Sequence, residues 1–561
     1  MHEFTVWAPR SLKVAVKIGD REYLMRGPSE RGWWSVGVEE ARPGTDYGFL
    51  LDDDPKAWPD PRSQWQPHGV HGASRVYDQS VFVWRDQGWQ APPIELAVIY
   101  ELHVGTFTPK GTFAAAIERL DYLAWLGITH VELMPVAAFP GGQGWGYDGA
   151  SLFAVTEQYG GPDGLKQLVN ACHARGLAVL LDVVYNHFGP VGNYSGKFGP
   201  YITEKHRTPW GGAVNFEEWG SDEVRRFFCD NALMWLRDYH IDGLRLDAVH
   251  ELFDRSAVHF LEQLSDEVKS LSVKLGRRLV LIAESDLNDP RMVKPKQLGG
   301  YGMDAQWSDD FHHALFTVLH SRGEKGYYVD FGTMAKLAKA LKNTFVQDGA
   351  YSKYRGRNHG KPVDDLSPHQ FLGYIQTHDQ VGNRAVGDRV EQIVGMDRAK
   401  VAAGIVLTAP FIPMLFQGEE FAAFGWDTAD IPDPEAVETF QRSKLNWEEV
   451  HEGEHEEMLE WYWKLIQLRR GSAWLNDGTP GRTKLSFDEK KKWLVMERGM
   501  LTVMCNLGTE TVTLENPRQS PLLLASREGI ETGAKVTLPP DTLTILSGEK
   551  NQSGERTQRS V

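Results

Sequence analysis

Eight short apolar runs, separated by longer amphipathic stretches, constrain this chain more than any other feature. They are VIYELH (98–103), THVELMP (129–135), AVLLDVV (178–184), IDGLRLDA (241–248), RLVLIAES (278–285), MDAQW (303–307), FLGYIQ (371–376) and FIPMLF (411–416). Between the first two, Phe113, Ile117, Leu120 and Leu123 share one face of a helix. Leu165, Leu168, Val169 and Cys172 form the next such stripe. Before the fourth run, Ser221-Asp222-Glu223 reads as an N-cap with an acidic first turn. Eight strands alternating with helices over residues 89–470 predict an α/β fold, a (β/α)8 barrel. A doubly wound open sheet competes, but no glycine-rich dinucleotide fingerprint or phosphate loop supports it.

The flanks read differently. In residues 1–88, Val14, Val16 and Ile18 alternate with Lys13, Ala15 and Lys17, and Trp34, Val36 and Val38 alternate again. Turns such as Arg42-Pro43-Gly44-Thr45-Asp46 punctuate them, so an N-terminal β-sandwich is expected. Strand-like text returns in WLVMERGMLTVMCNL (493–507) and the short VTL and LTIL runs, predicting a C-terminal β domain over 471–548. The polar stretch 549–561 reads as a disordered tail. The net charge of −16 argues against nucleic acid or an anionic membrane as partner. Cys172, Cys229 and Cys505 lie far apart and read as buried thiols. With no basic, apolar leader and no run of about 18 apolar residues, a soluble, cytoplasmic protein is expected. The 11% aromatic content suits sugar stacking and large cores equally.

In such a barrel the working end is the C-terminal end of the strands. Polar residues gather there: Glu101 and His103; Asp182, Asn186 and His187; Arg245, Asp247 and His250; Glu284 and Asp286; Asp309, Asp310, His312 and His313; His378, Asp379 and Gln380; Gln417, Glu419 and Glu420. Arg245 and Asp247, two apart on a strand, share a face, so the guanidinium would hold Asp247 ionised, as a nucleophile requires. A strand-end salt bridge explains that pair equally well. Glu284 follows the apolar stretch 279–283. A carboxyl at an apolar barrel mouth has a raised pKa, as a general acid requires, although a solvated or capped Glu is the commoner case. Asp379 adds a third carboxylate, and His187 and His378 offer donors from either side; a lone histidine is more often a core residue. Two carboxylates suffice for retaining glycoside cleavage. Metal-dependent hydrolases also place His and carboxylates at strand ends. Here no His-x-His follows the first run and no strand-end Lys bridges two ions, and the adjacent His312 and His313 would face opposite sides of a strand. No metal and no cofactor are expected.

At these residues the chain resembles the α-amylase superfamily. DVVYNH (182–187), GLRLDAVH (243–250), Glu284 after its strand and HD (378–379) match its four conserved regions in order. The resemblance implies Asp247 as nucleophile, Glu284 as acid/base and Asp379 as transition-state stabiliser. It sets Arg245, His187 and His378 around the reacting sugar, with Tyr147 of WGYDG (145–149) beneath it, and Leu246, Ala248, Val249 and His250 beside the substrate. YELHVGTFTPKGTF (100–113), ELMPVAAFPGG (132–142), VVYNHFGPVGNY (183–194), AESDLNDPR (283–291), DAQWSDDFHHAL (304–315) and HDQVGNRA (378–385) are similar to the trehalohydrolase branch. That branch cleaves the α-1,4 bond next to the terminal trehalose of a maltooligosyl-trehalose. The resemblance implies that Asp309, Asp310, Phe311, His312 and His313, with Gln380, Val381, Gly382 and Asn383, line the subsites for glucan and trehalose. A maltooligosyl-trehalose or related α-glucan is thus the expected partner. The opening FTVWAP (4–9) is shared with glycogen-branching enzymes, so a branching enzyme or general α-1,4-glucan hydrolase is the alternative. A non-catalytic glucan-binding protein would need no carboxylate trio. After GEE (418–420) the chain reaches FGWD (424–427) almost at once, where relatives carry a longer, aromatic-rich insertion. Asp182 and Asn186 read as structural supports for the loop after the third strand.

Overall fold

The computed structural model describes residues 1–320, 325–364, 366–384, 387–424 and 437–548. The eight apolar runs form eight strands: β1 (Ile99–Leu102), β2 (His130–Leu133), β3 (Ala178–Val183), β4 (Gly243–Leu246), β5 (Val280–Ala283), β6 (Ala305–Trp307), β7 (Phe371–Gly373) and β8 (Ile412–Phe416). Each pairs in parallel with the next, and Met414 of β8 pairs with Ile99 of β1 to close the barrel. The two-residue period of a strand sorts the side chains. Ile99, Leu180, Ile282, Leu372 and Met414 pack together in one cluster within the ring of strands. Val131, Leu133, Val179, Leu181, Leu244 and Leu246 belong to the larger core shared with the helices. Arg245 alternates with Leu244 and Leu246 along β4, which sends its side chain to the opposite face from theirs.

The helices follow the expected stripes with two differences. The face from Phe113 to Leu123 belongs to two helices, Phe113–Ile117 and Leu120–Leu126. Between them Glu118 and Arg119 donate to Ala115 and Ala116, three residues back, which tightens the turn and breaks the α ladder. The helix Ser221–Asp238 is capped by Gly220 rather than Ser221. Gly220 has a φ of 81°, a conformation glycine adopts without penalty.

Before the barrel, Val14–Ile18 pairs with Arg21–Leu24 and Asp46–Leu51, and His2–Trp7 pairs with Trp33–Val38. This β module docks on the barrel through Trp33, whose indole donates to Glu223, and Arg62, which pairs with Asp230 at 2.8 Å. After the barrel's last helix, Gly453–Gly471, a five-stranded sheet and a two-stranded ribbon follow. Gly404 lets them pack closely on the barrel: a Cβ there would stand 2.7 Å from Leu543. All three cysteines are buried and unpaired. Among the described residues no helix is long and apolar enough to cross a membrane. The stretch 549–561, and all of FGWD after Phe424, lie outside the described residues.

Candidate active site

Register brings the site together. Asp182 on β3 stands beside Arg245 on β4, and Arg245 is fully buried. Its Nη1 donates to Asp182 at 2.6 Å and to Asp247 at 2.9 Å. Its Nη2 lies 2.9 Å from Glu284 Oε2, an ion pair without hydrogen-bond alignment. The guanidinium sits over the Trp307 ring, 4.2 Å from its centroid, a contact that suits a delocalised cation. The amide N–H of Ala248 donates to Glu284 Oε2 at 2.7 Å, aimed by a left-handed turn at Ala248 with φ 39°. Asn186 Nδ2 donates to Asp247 Oδ2 at 2.8 Å. Asp182 and Asn186 therefore orient the central groups directly, beyond the loop support read from their position.

The opposite wall carries Tyr147 and His378, whose rings stack with centroids 4.9 Å apart. Tyr147 donates to Asp182 at 2.6 Å. Its placement depends on Gly146, with φ 94°, where a Cβ would stand 2.3 Å from the Pro135 carbonyl oxygen. His378 Nδ1 bonds to Glu101, and its Nε2 lies 3.6 Å from Asp379. Burial opposes a charge on His378 most strongly, but the charges of Glu101 and Asp379 and the bond to Glu101 together outweigh it and raise its pKa to about 10. Burial drives Glu284 well above the usual carboxylate range; Arg245 opposes the shift, and the charges of Asp247, Asp379 and Asp309 add to it. Burial also lifts Asp182 to about 6 against the pull of Arg245. The cluster thus holds one permanent cation, one histidinium and carboxyls of unlike proton affinity. That is the arrangement by which one site supplies both an acid and a nucleophile.

These groups open on a cleft of about 480 Å³ whose lining includes Tyr147, His187, Asp247, Glu284, His378 and Asp379. Its rim is aromatic, with Phe139, Trp145, Trp210 and Phe440. No residue before Phe139 lines it.

A malto-oligosyltrehalose trehalohydrolase from Rhizobium sp. (strain M-11) is 45% identical to the chain, covering 97% of each. The chain belongs to the malto-oligosyltrehalose trehalohydrolase family. The family model "Alpha amylase, catalytic domain" matches residues 75–207, and "Domain of unknown function (DUF3459)" matches 480–545. A crystal structure of a putative alpha amylase from Salmonella typhimurium superposes with a TM-score of 0.89 at 35% identity, covering 97% of each chain. A 1,4-alpha-glucan branching enzyme from Bacillus caldolyticus stands further off, 26% identical over 100% of this chain and 90% of its own.

Several residues expected beside the substrate of a trehalohydrolase lie elsewhere. Leu246 and Val249 are buried in the helix-facing core, Leu246 because it alternates with Arg245 along β4. Phe311 is buried against Phe411, with ring centroids 5.1 Å apart. His312 and His313 lie on the helix Asp309–His320, so they are neighbours, with rings 5.3 Å apart, and do not oppose each other across a strand. His312 is buried and bonds the Ile375 carbonyl and the Tyr328 hydroxyl. Asp310 accepts the N–H groups of Val346 and Gln347 and the Asn288 amide. Gln380 closes a capping box with Thr377, and Val381 packs with Met134 and Phe416. Ala248, His250, Gly382 and Asn383 do line the cleft. Asp309 turns its carboxylate to the Tyr374 hydroxyl. Glu419 and Glu420 accept hydroxyls of Tyr462, and of Tyr100 and Tyr122. These bonds hold them inside the fold, away from the cleft.

Sequence reasoning missed Trp307 and Trp210. Trp210 stacks on His187 with centroids 5.2 Å apart and sits at the tip of the hairpin Ile202–Thr208/Gly211–Val214. Its local text carries no period that ties it to the barrel. Trp307 closes the sixth apolar run, and the alternation that placed Arg245 inward would have placed it too.

Proposed function

We propose that the cleft hydrolyses the α-1,4-glucosidic bond next to the terminal trehalose of a maltooligosyl-trehalose, with retention of configuration, and frees trehalose. Asp247 attacks the anomeric carbon while Glu284 passes its proton to the departing oxygen, leaving a glycosyl ester on Asp247. Glu284, now a carboxylate, takes a proton from water as that water attacks the same carbon and releases Asp247. Asp379 orients ring hydroxyls, and the Tyr147–His378 stack floors the reacting sugar. The observation that carries the reading is the single guanidinium of Arg245 touching both Asp247 and Glu284. Burial, with the neighbouring acidic charges, raises the proton affinity of Glu284 against the pull of that guanidinium. Family membership supplies the substrate.

The test is a mixture of equal amounts of maltopentaose and maltotriosyl-trehalose, with products followed by ion-exchange chromatography. Selective release of free trehalose with little loss of maltopentaose is expected. Equal attack on both would make the protein a general α-1,4-glucan hydrolase, and new branch points a branching enzyme. Early proton NMR spectra should show the α-anomer as the first product at the new reducing end; a first-formed β-anomer refutes the double displacement.

A further inference from the structure

Glu101 stands on β1 and is 1% exposed. Both of its oxygens close on one residue, His378, which lies 277 residues further along the chain. Oε1 bonds the ring at Nδ1, and Oε2 accepts the main-chain N–H at 3.0 Å. His378 opens the helix His378–Gly382 after β7, and Asp379 is the next residue of that helix. One carboxylate therefore fixes the ring and the backbone of the residue that leads into Asp379. With Nδ1 tied to Glu101, the nitrogen left to the cleft is Nε2, 3.6 Å from Asp379. His378 and Asp379 both line the cleft, with Tyr147.

Titratable groups face this ring from several elements. Glu132 stands beside Glu101 in register on β2, and burial with the Glu101 charge lifts its pKa well above the carboxylate range, so it stays neutral. Burial lowers His103, just after β1, to about 3 and leaves it uncharged. Tyr147 gives its hydroxyl hydrogen to Asp182. Arg245 on β4 is engaged by Asp182, Asp247 and Glu284. A carboxylate only accepts, so Nδ1 carries the hydrogen of its bond to Glu101, and Nε2 carries one as well only while the ring is charged. Burial is the largest influence and opposes that charge, as does Arg245, but Glu101 and Asp379 outweigh them.

We infer that Glu101 is a positioning residue that works through His378, its carboxylate clamping ring and backbone so that Nε2–H points at a hydroxyl of the reacting sugar. The inference rests on the reaction proposed for the cleft. A hydrogen bond from a charged donor is roughly twice as strong as one from a neutral donor. Bonds to a hydroxyl beside the anomeric carbon strengthen in the transition state, so the clamp acts on turnover more than on binding.

Glu101→Gln separates the grip from the charge. Its oxygen can accept the main-chain N–H while its amide donates to Nδ1, which leaves the ring in place but neutral. On maltotriosyl-trehalose, kcat should fall about 10–100-fold with KM changed much less. His378→Gln and the double variant close the cycle: the double should be no slower than His378→Gln alone, because a residue that acts through another then has nothing left to lose. In NMR spectra of protein labelled with 13C at histidine Cε1, the signal missing from His378→Gln identifies this ring. At pH 8 it should be charged in the parent and neutral in Glu101→Gln. Parent kcat in Glu101→Gln overturns the inference, as do losses that multiply in the double variant. A parent His378 ring already neutral at pH 7 overturns it too, and that result is readable even if Glu101→Gln fails to fold. Should Glu284→Gln keep the parent rate of trehalose release, the reading of the cleft fails instead, and the titration of His378 stands apart from that result.

Discussion

Glu284→Gln should hydrolyse maltotriosyl-trehalose about 10²–10⁴ times more slowly than the parent while melting at the same temperature or higher. The loss follows from chemistry alone: the amide keeps the shape of the side chain and its contact with the Ala248 N–H but has no proton to give. Asp247→Asn should cost several orders of magnitude as well, because no carboxylate is left to form the ester. Stability should move the other way. The folded pKa of Glu284 lies above its unfolded value, with burial the chief cause. Its ionisation is therefore a penalty on the fold that is absent below about pH 4, the unfolded value, and grows as pH rises toward the folded one. Glutamine carries no such penalty. Melting curves from pH 5 to 9 should separate in the variant's favour as pH increases. A near-parent turnover in either variant removes that residue from its role. A melting difference that does not change with pH would mean that Glu284 is already ionised in the folded protein.

How far the sequence reached depends on the range of the signal. The barrel was legible because strand burial leaves a mark a few residues long, and all eight apolar runs became strands. The inward line of Arg245 and Asp247 was legible for the same reason, since a two-residue period decides the face. Helix-borne sites were not. Reading 309–313 as an extension of the strand gave His312 and His313 opposite faces, whereas the helix begins at Asp309 and turns His312 to the Ile375 carbonyl. Treating a matched stretch as wholly substrate-facing also failed, because alternation sends every second residue, such as Leu246, into the core. Contacts between distant segments left no mark at all. Tyr100 and Tyr122 satisfy Glu420 across about 300 residues of chain, so a strand-end carboxylate that looked available is in fact consumed. The Gly220 cap was hidden because a glycine in the left-handed region offers no side chain that marks a helix start, while the Ser-Asp-Glu text beside it does.

Arg245→Met should be the most damaging single change in the barrel for both stability and turnover. The side chain is fully buried and is the only Lys, Arg or His paired with Asp182 and Glu284 among the described residues. Methionine fills much of the volume but leaves carboxyl groups in a low-dielectric core without their cation, a cost of about 3–5 kcal/mol when one partner of a buried pair is removed. Part of that cost is avoided by protonation. Asp182 already has its pKa lifted to about 6 with the arginine present, and without it the group should hold its proton at neutral pH. Taking up that proton settles Asp182 but does not restore the chemistry, because the guanidinium that holds Asp247 and Glu284 in place is gone. Arg245→Lys should recover stability better than rate: a compact ammonium neutralises charge but cannot span Asp182, Asp247 and Glu284 with a planar fork. The electrostatic account has its own control in the double variant Asp182→Asn/Arg245→Met, which should recover part of the stability lost in the single variant, read as the urea midpoint of the barrel transition. No recovery would assign the loss to packing around Trp307 instead. Full activity in Arg245→Met would show that the reaction does not need the guanidinium, and the proposed division of labour between the two carboxyls would then need another cause.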